Sequence, residues 1–466
     1  MTSHGSRAVV LGAGMAGMLA ASVLAGRVDE VVVVDRDRMP RGADPRRGLP
    51  QARHAHMLMS GGARVIEALV PGTVEAWLAA GARRIAVTEE MVLLGAQGWF
   101  PRRPGPHFLI SCTRDLLDAV VRERVLALPR VALRDGTEAV QLLGDARRVA
   151  GVVVRDTGTG GVEDLAADLV VDASGRGSQS GRHLTRLGLP AVREETVDAG
   201  QVYATRLFQA PSGTERFPLV SLQPDARSGG PGRIGVLLPV EDGRWVITLA
   251  GTRGAEPTRD ADGFEPFARR LRDPLLADLI ARAEPLTDVH LTRATANRRR
   301  RFERLPDTPD GFVALGDAVA TFNPVYGQGL SVVAHGAAAL DRALRERRAH
   351  TAGFARHVQR SVARATGSPW DLATGEDLNY PATIGKSPPP TARLLRGYIQ
   401  RLMRSATGNQ AVLRALTEVM TLSAPLTRMV RPEVLVGVAR GPGPDAQRGP
   451  SITAEERALC GLDGRR

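Results

Sequence analysis

Apolar residues near the start of the chain alternate between strand-like and helix-like stretches. Residues 8–11 and 31–34 are short apolar runs, and between them a glycine turn at residues 12–17 leads into an apolar stretch at residues 18–25. The second run ends at Asp35. Strand, helix and strand at this spacing predict a β-α-β unit with parallel strands and a right-handed crossover.

The same alternation recurs further along the chain. Residues 111–128 carry apolar side chains at helical spacing, which predicts an amphipathic helix. A strand at residues 311–315 precedes a glycine-rich loop and a long alanine-rich helix at residues 331–347. Other strand-like segments lie at residues 131–133, 151–154 and 168–172. Strands alternating with helices predict an α/β domain with a parallel sheet.

Residues 200–250 look different, because strand candidates follow one another without helices. The candidates are residues 202–208, 234–239 and 244–250, and the last two flank a hairpin turn signal at residues 240–243. We therefore expect a separate sheet that is inserted into the α/β domain. After residue 350 the chain is predicted to be helical.

The composition is that of a soluble globular protein. The 466 residues are 43% hydrophobic and 24% charged. Cys112 and Cys460 lie far apart and outside any CxxC spacing, which argues against a disulfide scaffold or a thiolate metal site and favours the cytoplasm. No stretch approaches the roughly 20 apolar residues that span a bilayer, so no integral membrane segment is expected.

The formal net charge of +12 comes from arginine, since Lys386 is the only lysine. The arginines are spread along the chain, and the one run, at residues 298–301, is predicted to form a solvated strand or loop. Nucleic-acid binders usually concentrate basic residues on one face. With 4% aromatic residues there is also little for bases to stack on, so no nucleic-acid partner is predicted.

The first motif is a GxGxxG turn formed by Gly12, Gly14 and Gly17. Gly12 permits the tight turn, Gly14 lets the backbone approach a pyrophosphate, and Gly17 lets helix and strand pack closely. The helix N-terminus offers unpaired N–H groups to the phosphates, and Asp35 lies where an acid accepts hydrogen bonds from a ribose 2′-OH. The motif predicts a dinucleotide site without distinguishing NAD from FAD. A glycine turn without a ligand is the alternative.

A second glycine-rich loop begins where a predicted strand ends at Gly316 and Asp317. Pro324, Gly327 and Gly329 then open the next helix. This arrangement resembles the second FAD fingerprint of the single-component flavin monooxygenases related to p-hydroxybenzoate hydroxylase and squalene epoxidase. The resemblance implies that Asp317 bonds a ribityl hydroxyl and that the helix N-terminus faces the flavin N1–O2 edge, which is negative when reduced.

Three further segments agree with this resemblance. Residues 167–178, with Asp172 after an apolar strand, resemble the family's middle motif, although a serine replaces the usual aspartate of its Asp-Gly pair. That motif is associated with FAD and with access of the pyridine nucleotide. Arg114 matches an arginine that contacts the cofactor at the start of a helix. Residues 46–56 resemble a loop beside the isoalloxazine, and packing is the alternative for the two histidines of that loop.

The resemblance implies one non-covalently bound FAD, reduced by NAD(P)H that binds transiently. It also implies an α/β fold in which a Rossmann-like FAD-binding domain, similar to that of p-hydroxybenzoate hydroxylase, carries an inserted β-sheet substrate domain and a helical C-terminal region. We assign residues 1–75, 105–190 and 291–347 to the FAD-binding domain, 76–104 and 191–290 to the substrate domain, and 348–466 to the helical region. The residues expected to bind FAD are Gly12, Gly14, Met15, Ala16, Gly17, Asp35, Arg36, Arg46, Arg114, Ala139, Asp172, Gly316, Asp317, Pro324, Gly327, Gln328, Gly329 and Leu330.

Within this family the sequence favours epoxidation. A halogenase would need a lysine, and residues 1–385 contain none. Epoxidation by the C4a-hydroperoxide of the flavin needs positioning and water exclusion, so no catalytic side chain or metal is expected. Aromatic hydroxylation, which usually needs a proton relay, is the alternative. Residues 46–56, 203–208, 241–245 and 322–329 together resemble the actinobacterial epoxidases that oxidise linear polyenes in polyether antibiotic biosynthesis.

The substrate implied by this resemblance is a linear polyene polyketide, free or tethered to a carrier protein. It would occupy an apolar tunnel between the inserted sheet and the flavin. Core packing explains the aromatic residues of this region equally well. The side chains expected to line the tunnel are Tyr203, Phe208, Leu237, Trp245, Thr248, Phe322 and Tyr326.

Overall fold

The computed structural model describes residues 5–214, 216–386, 390–443 and 447–462. Its strands are β1 Arg7–Leu11, β2 Glu30–Val34, β3 Met57–Met59, β4 Arg83–Ala86, β5 Met91–Gly95, β6 Gly98–Trp99, β7 Phe108–Ser111, β8 Val131–Arg134, β9 Thr137–Gly144, β10 Val149–Asp156, β11 Val162–Ala166, β12 Leu169–Asp172, β13 Glu194–Val197, β14 Val202–Gln209, β15 Leu219–Leu222, β16 Arg233–Pro239, β17 Arg244–Gly251, β18 Glu284–Pro285, β19 His290–Thr292, β20 Asn297–Arg300, β21 Phe312–Ala314 and β22 Ala320–Thr321. Its α-helices are α1 Met15–Ala25, α2 Ser60–Leu69, α3 Thr73–Ala79, α4 Arg114–Leu126, α5 Ser180–Arg186, α6 Phe264–Arg269, α7 Leu275–Ile280, α8 Gly329–Glu346, α9 Phe354–Asp377, α10 Pro390–Ala406, α11 Gln410–Met420, α12 Pro432–Arg440 and α13 Ala454–Leu459.

A five-stranded parallel sheet contains the predicted β-α-β unit. Its strand order is β21-β12-β1-β2-β8, and each neighbouring pair is parallel. The register places Leu11 between Val34 and Asp172, and Asp172 beside Ala314. The segments that follow these four residues therefore meet at the carboxyl edge of the sheet, which is where α/β proteins bind ligands.

A second sheet of eight strands carries the strands predicted at residues 202–250. Its order is β18-β14-β17-β16-β15-β5-β6, with β19 also paired to β14. β16 and β17 form the expected hairpin, and Asp242 and Gly243 adopt left-handed φ angles of 60° and 65° in its turn. The predicted fold class is confirmed: an α/β FAD-binding-type domain, an additional β-sheet and C-terminal helices.

The predicted amphipathic helix at residues 111–128 is present as α4, which begins at Arg114 because Ser111 ends β7 and the Thr113 hydroxyl caps the helix by accepting from the Leu116 N–H. One local prediction is wrong. The arginine run is not a solvated segment, since residues 297–300 form the central strand of the β13-β20-β22 sheet. Arg299 is buried there, with a guanidinium N–H donated to the Ala363 carbonyl.

The C-terminal helices close one side of the molecule. α9 packs along α8, and α10, α11 and α12 share an apolar cluster with Phe100. In the part of the chain that the structure describes, no helix combines the length and apolarity needed to cross a membrane.

Candidate active site

The three glycines of the first turn have three different surroundings. Gly12 has a φ of +100°, and a Cβ there would lie 2.6 Å from the Ala173 carbonyl oxygen. A Cβ on Gly17 would lie 1.8 Å from the Gly12 carbonyl oxygen, so only glycine lets α1 approach the turn this closely. A Cβ on Gly14 would have no atom within 4 Å. Gly14 therefore faces open space at the N-terminus of α1, which has no side-chain cap.

Asp35 lies beside this turn, as its position after β2 predicts. Its Oδ2 accepts from the Ala13 N–H at 2.6 Å and from the Arg46 guanidinium at 2.6 Å. Arg46 also donates to Asp37 at 2.9 Å. The sequence did not indicate this ion pair, which ties the loop at residues 46–56 to the end of β2.

The second motif touches the first. Gly316 has a φ of +60°, and a Cβ there would lie 2.7 Å from the Cβ of Ala16 at the start of α1. The Asp317 side chain is half-buried and makes no hydrogen bond to any residue described here. Burial raises the pKa of Asp317, and the nearby Arg114 guanidinium opposes that rise. Arg114 itself is held by Asp118 at 3.0 Å.

α8 supplies a second uncapped helix N-terminus. The chain turns through Gly327, with a φ of +62°, and enters the helix at Gly329, where a Cβ would meet nothing within 4 Å. Gln328 just before it is 1% exposed. The arrangement fits FAD: α1 and α8 each present free N–H groups to open space, where a pyrophosphate and the anionic edge of a flavin are stabilised.

Asp172, predicted to contact the cofactor, is bonded to its own loop. Its side chain is fully buried, and its oxygens accept from the Ser174 N–H at 3.0 Å, from the Ser174 hydroxyl and from the Ser178 hydroxyl. Asp172 therefore shapes the loop that follows β12, and its contact with the cofactor stays a prediction. Among the other predicted cofactor residues, Met15 and Leu330 are buried, Ala139 is half-buried, and Arg36 and Pro324 are exposed.

The loop at residues 46–56 is anchored on the eight-stranded sheet by a chain of hydrogen bonds. His54 Nδ1 lies 2.7 Å from the Thr205 hydroxyl, which lies 2.7 Å from the Thr248 hydroxyl. Burial lowers the pKa of His54 to about 4 and that of His56 to about 3, so both imidazoles are neutral at pH 7. Within the described residues, no three His, Cys, Asp or Glu side chains are grouped to hold a metal ion.

Most of the predicted substrate-contacting side chains lie elsewhere. Phe208, Leu237 and Trp245 face the opposite side of the sheet, where they form a core with α6 and α7. Phe322 packs in the core of the α/β domain. The structure therefore does not bring these four side chains to the apolar cavity described below: both faces of β14, β16 and β17 are buried, so the apolar pattern did not identify the face that borders it.

The other three lie near the loop at residues 46–56 or the loop before α8. Thr248 takes part in the hydrogen-bonded chain to His54, and Tyr203 is buried with its hydroxyl bonded to Asn323. Tyr326 alone borders a cavity of about 530 Å³ that reaches Gln328.

This cavity lies between the eight-stranded sheet and the C-terminal helices. Its walls are mainly apolar, with Ile234 from the sheet and Val325 from the loop before α8. Helices α9, α10 and α11 supply the opposite wall, which includes Leu372, Met403 and Leu416. Sequence reasoning missed these helical residues, although apolar positions recur at helical spacing through residues 399–420.

A second cavity, an open groove of about 650 Å³, lies beside the loop that follows β12. It is strongly basic and contains a single carboxylate, Glu194, which pairs with Arg298 and Arg300. Its arginines are Arg176, Arg182, Arg186, Arg298 and Arg300.

Comparisons with known proteins agree with this geometry. Residues 6–365 match the sequence family described as FAD binding domain. Protein Rv3254 of Mycobacterium tuberculosis (strain ATCC 25618 / H37Rv) is 34% identical over 387 residues, which are 80% of this chain and 80% of that protein. The 6-methylpretetramide 4-monooxygenase of Streptomyces rimosus is 28% identical over 352 residues, covering 71% of this chain and 73% of that enzyme.

Solved structures share the fold at lower identity. The myxobacterial chondrochloren halogenase CndH, a FAD-dependent halogenase, superposes with a TM-score of 0.62 at 16% identity, covering 91% of this chain and 99% of that one. At this identity the likeness concerns the fold alone.

Proposed function

Because this chain belongs to the FAD binding domain family, whose relatives include monooxygenases, we propose that it epoxidises alkenes of an extended, apolar polyene with FAD, NAD(P)H and dioxygen. The observation that carries the proposal is the mainly apolar cavity of about 530 Å³, whose lining includes Tyr326 and Gln328 beside the N-terminus of α8. When bound, FAD supplies the oxygen-activating chemistry. The chain positions the alkene and excludes water.

We propose that FAD is held without a covalent link. The support is the pair of uncapped helix N-termini, with open space at Gly14 and Gly329. Asp317, half-buried with no hydrogen-bond partner of its own in the described chain, would accept from a hydroxyl of the cofactor. Asp35 and Arg46 would lie near the ribose, and an incoming hydroxyl would share the Asp35 carboxylate with Arg46.

We propose NAD(P)H as the reductant. The basic groove supports this assignment, because its five arginines against one carboxylate suit the phosphates of a pyridine dinucleotide. The groove adjoins the Asp317 loop: Arg176 lowers the pKa of Asp317 through its charge, although burial has the larger, opposite effect. A nucleotide bound there would therefore lie near the flavin.

Aromatic hydroxylation is the second candidate. The Streptomyces rimosus relative is named for monooxygenation at position 4 of 6-methylpretetramide, not for epoxidation. The buried pair formed by Tyr326 and Asp377, with 2.5 Å between hydroxyl and carboxylate oxygens, also offers a path for a proton at the cavity wall. A halogenase is disfavoured because residues 1–385 contain no lysine.

The test is product mass. The FAD-loaded protein is incubated with NADPH, dioxygen and catalase, together with a linear polyene or a phenol, and the products are compared with reactions that lack NADPH. We expect the polyene to gain one oxygen atom and the phenol to react poorly. Efficient oxygenation of the phenol with no polyene product would replace epoxidation by aromatic hydroxylation.

A further inference from the structure

Tyr326 and Gln328, two residues apart in the chain, both border the apolar cavity. We infer that the substrate carries a hydrogen-bond donor, a hydroxyl group, which it presents to these two side chains. The inference rests on the proposed function and refines its substrate class: an apolar chain with a free hydroxyl close to the carbon that is oxygenated.

The first step is the position of the Tyr326 proton. A phenol has one proton to donate, and Tyr326 donates it to Asp377 Oδ1 at 2.5 Å. Towards a ligand, the Tyr326 hydroxyl can therefore act only as a hydrogen-bond acceptor. Burial and the Asp377 carboxylate raise the pKa of Tyr326 well above its usual value, so the hydroxyl keeps its proton.

The second step is the orientation of Asp377, which the surrounding amides settle. The Asn323 backbone N–H donates to Asn297 Oδ1 at 2.8 Å, so the Asn297 amide nitrogen is the atom that faces Asp377 Oδ2 at 2.6 Å. The Tyr203 hydroxyl bonds to Asn323 Oδ1, so the Asn323 amide nitrogen also points to the carboxylate, at 3.3 Å. Two amide N–H donors thus hold the Asp377 carboxylate as an acceptor, and the Tyr326 hydroxyl is its third donor.

The third step is an independent acceptor on the same wall. Gln328 also borders the cavity, and its side chain is 1% exposed. Its Oε1 is buried and has no hydrogen-bond partner among the residues that the structure describes. A buried acceptor left without a donor costs about 1–3 kcal/mol, so a ligand that supplies the donor recovers this energy.

Where Tyr326 and Gln328 border the cavity, their two acceptors select among ligand classes, and the wall also carries other polar side chains such as Gln97, Glu376 and Arg396. An alcohol, enol or phenol can donate to Tyr326 or Gln328. An ether, ester or ketone of the same shape has only an acceptor oxygen. Its lone pair would face the lone pair of the Tyr326 or Gln328 oxygen, and no hydrogen bond would form. Such missing or opposed hydrogen bonds discriminate far more strongly than a change in apolar size.

The experiment compares matched ligands by binding rather than by turnover. Farnesol and farnesyl methyl ether differ in one O–H, as do 1-naphthol and 1-methoxynaphthalene. Each is titrated into the oxidised, FAD-loaded protein, and the dissociation constant is read from the change in flavin absorbance or fluorescence. We expect at least one alcohol to bind about tenfold more tightly than its ether, the ratio that one hydrogen bond supplies.

The variants test which atoms read the hydroxyl. Tyr326→Phe removes the acceptor, and Asp377→Asn lets the tyrosine proton turn towards the cavity, so both should bring the alcohol-to-ether ratio close to one. Asp371→Asn makes the same chemical change on the exposed side of α9 and should keep the tenfold ratio. Asp377 is a positioning residue, because it acts on the ligand through Tyr326. A purely structural defect would weaken the binding of alcohol and ether alike and would leave the ratio of their dissociation constants unchanged.

Equal binding of alcohol and ether by the unaltered protein would overturn the inference, as would a ratio that persists in Tyr326→Phe or the absence of measurable binding by both alcohols. The proposed function fails separately. If the polyene never gains an oxygen while the alcohol preference holds, the reaction is wrong and the recognition of a hydroxyl stands.

Discussion

At the scale of single residues, the same residue type is required for different physical reasons at different positions. Gly17 is required by the fold, because any Cβ would collide with the turn backbone, whereas Gly14 is unconstrained by its neighbours. The φ of −80° and ψ of −176° at Gly14 are also open to any residue. The fold itself therefore does not require glycine at position 14. A ligand that approaches the backbone closely does.

A substitution at Gly14 tests this distinction. We expect Gly14→Val to fold with unchanged thermal stability in the absence of FAD and to lose bound FAD, since the side chain would fill the space for the pyrophosphate. The measurement is the flavin content after purification, with the FAD released from the unaltered protein by denaturation as the reference. Gly26→Val, at the other end of α1 and also without an atom within 4 Å of its Cβ, is the matched control. Full flavin content in Gly14→Val would refute the placement of the phosphates, and flavin that remains with the denatured protein would refute non-covalent binding.

At the scale of elements, the eight-stranded sheet has one face that borders the cavity and one that packs in a core. Alternate residues of β16 and β17 point to the cavity side or to the core beneath α6 and α7, so neighbours in sequence have unrelated roles. Ile234 borders the cavity, whereas Trp245 is packed against Phe217 with ring centroids 5.5 Å apart. A change in side-chain size is therefore expected to alter ligand affinity on the cavity face and the free energy of unfolding on the core face.

Substitutions on the two faces separate binding from stability. Ile234→Trp should weaken the binding of a linear polyene by at least tenfold with FAD retained, because the larger side chain occupies the cavity. Trp245→Ala should instead lower the free energy of unfolding by about 3–5 kcal/mol, through lost burial and the hole it leaves, with little effect on ligand affinity. Urea denaturation and ligand titration measure the two effects. A polyene affinity that falls only in Trp245→Ala would mean that the substrate lies on the α6 and α7 side.

At the scale of the whole molecule, each cavity is assembled from distant parts of the chain. The apolar cavity combines loop residues before α8, strands of the second sheet and helices beyond residue 370. The basic groove combines α5 and the loop before it with β20, more than 100 residues later. The sites proposed for the substrate and for the reductant are therefore two separate cavities with no lining residue in common.

The reductant assignment can be tested at the basic groove. Arg182 and Arg186 are exposed, one helical turn apart on α5, and their replacement by glutamate reverses two charges without touching the apolar cavity. We expect the NADPH concentration that gives half-maximal flavin reduction to rise roughly tenfold, while FAD content and polyene binding stay unchanged. Anaerobic stopped-flow measurement of the loss of flavin absorbance gives this value. Arg304→Glu, an exposed charge reversal outside the groove, should leave it unaltered, and an unchanged value in the α5 variant would exclude the groove as the nucleotide site.

Local features of the site were determined by the sequence itself. The β1-α1-β2 unit, the hairpin at Asp242 and Gly243, and the joining of the two glycine loops at one sheet edge follow from backbone conformation, apolar periodicity and parallel strand order. These rules act over a few residues or fix which strand ends must meet. For that reason the β-α-β pattern predicts Gly12 and Asp35 at one sheet edge, whereas Arg114 and Asp317 are assigned to the same site by the resemblance to the flavin monooxygenases.

The tertiary structure alone decided the roles that depend on packing across the chain. Trp245 and Tyr326 are both aromatic residues in apolar segments, yet one is core and the other borders the cavity. Asp172 is enclosed by its own loop, Arg299 is buried in a central strand, and Asp377, 51 residues after Tyr326 and at the end of α9, accepts the hydrogen bond of the Tyr326 hydroxyl. Periodicity cannot choose between two buried faces, and composition cannot say which distant polar groups will meet. Those outcomes depend on how whole sheets and helices pack against one another. When one surface is buried against another, close packing decides which side chains come into contact.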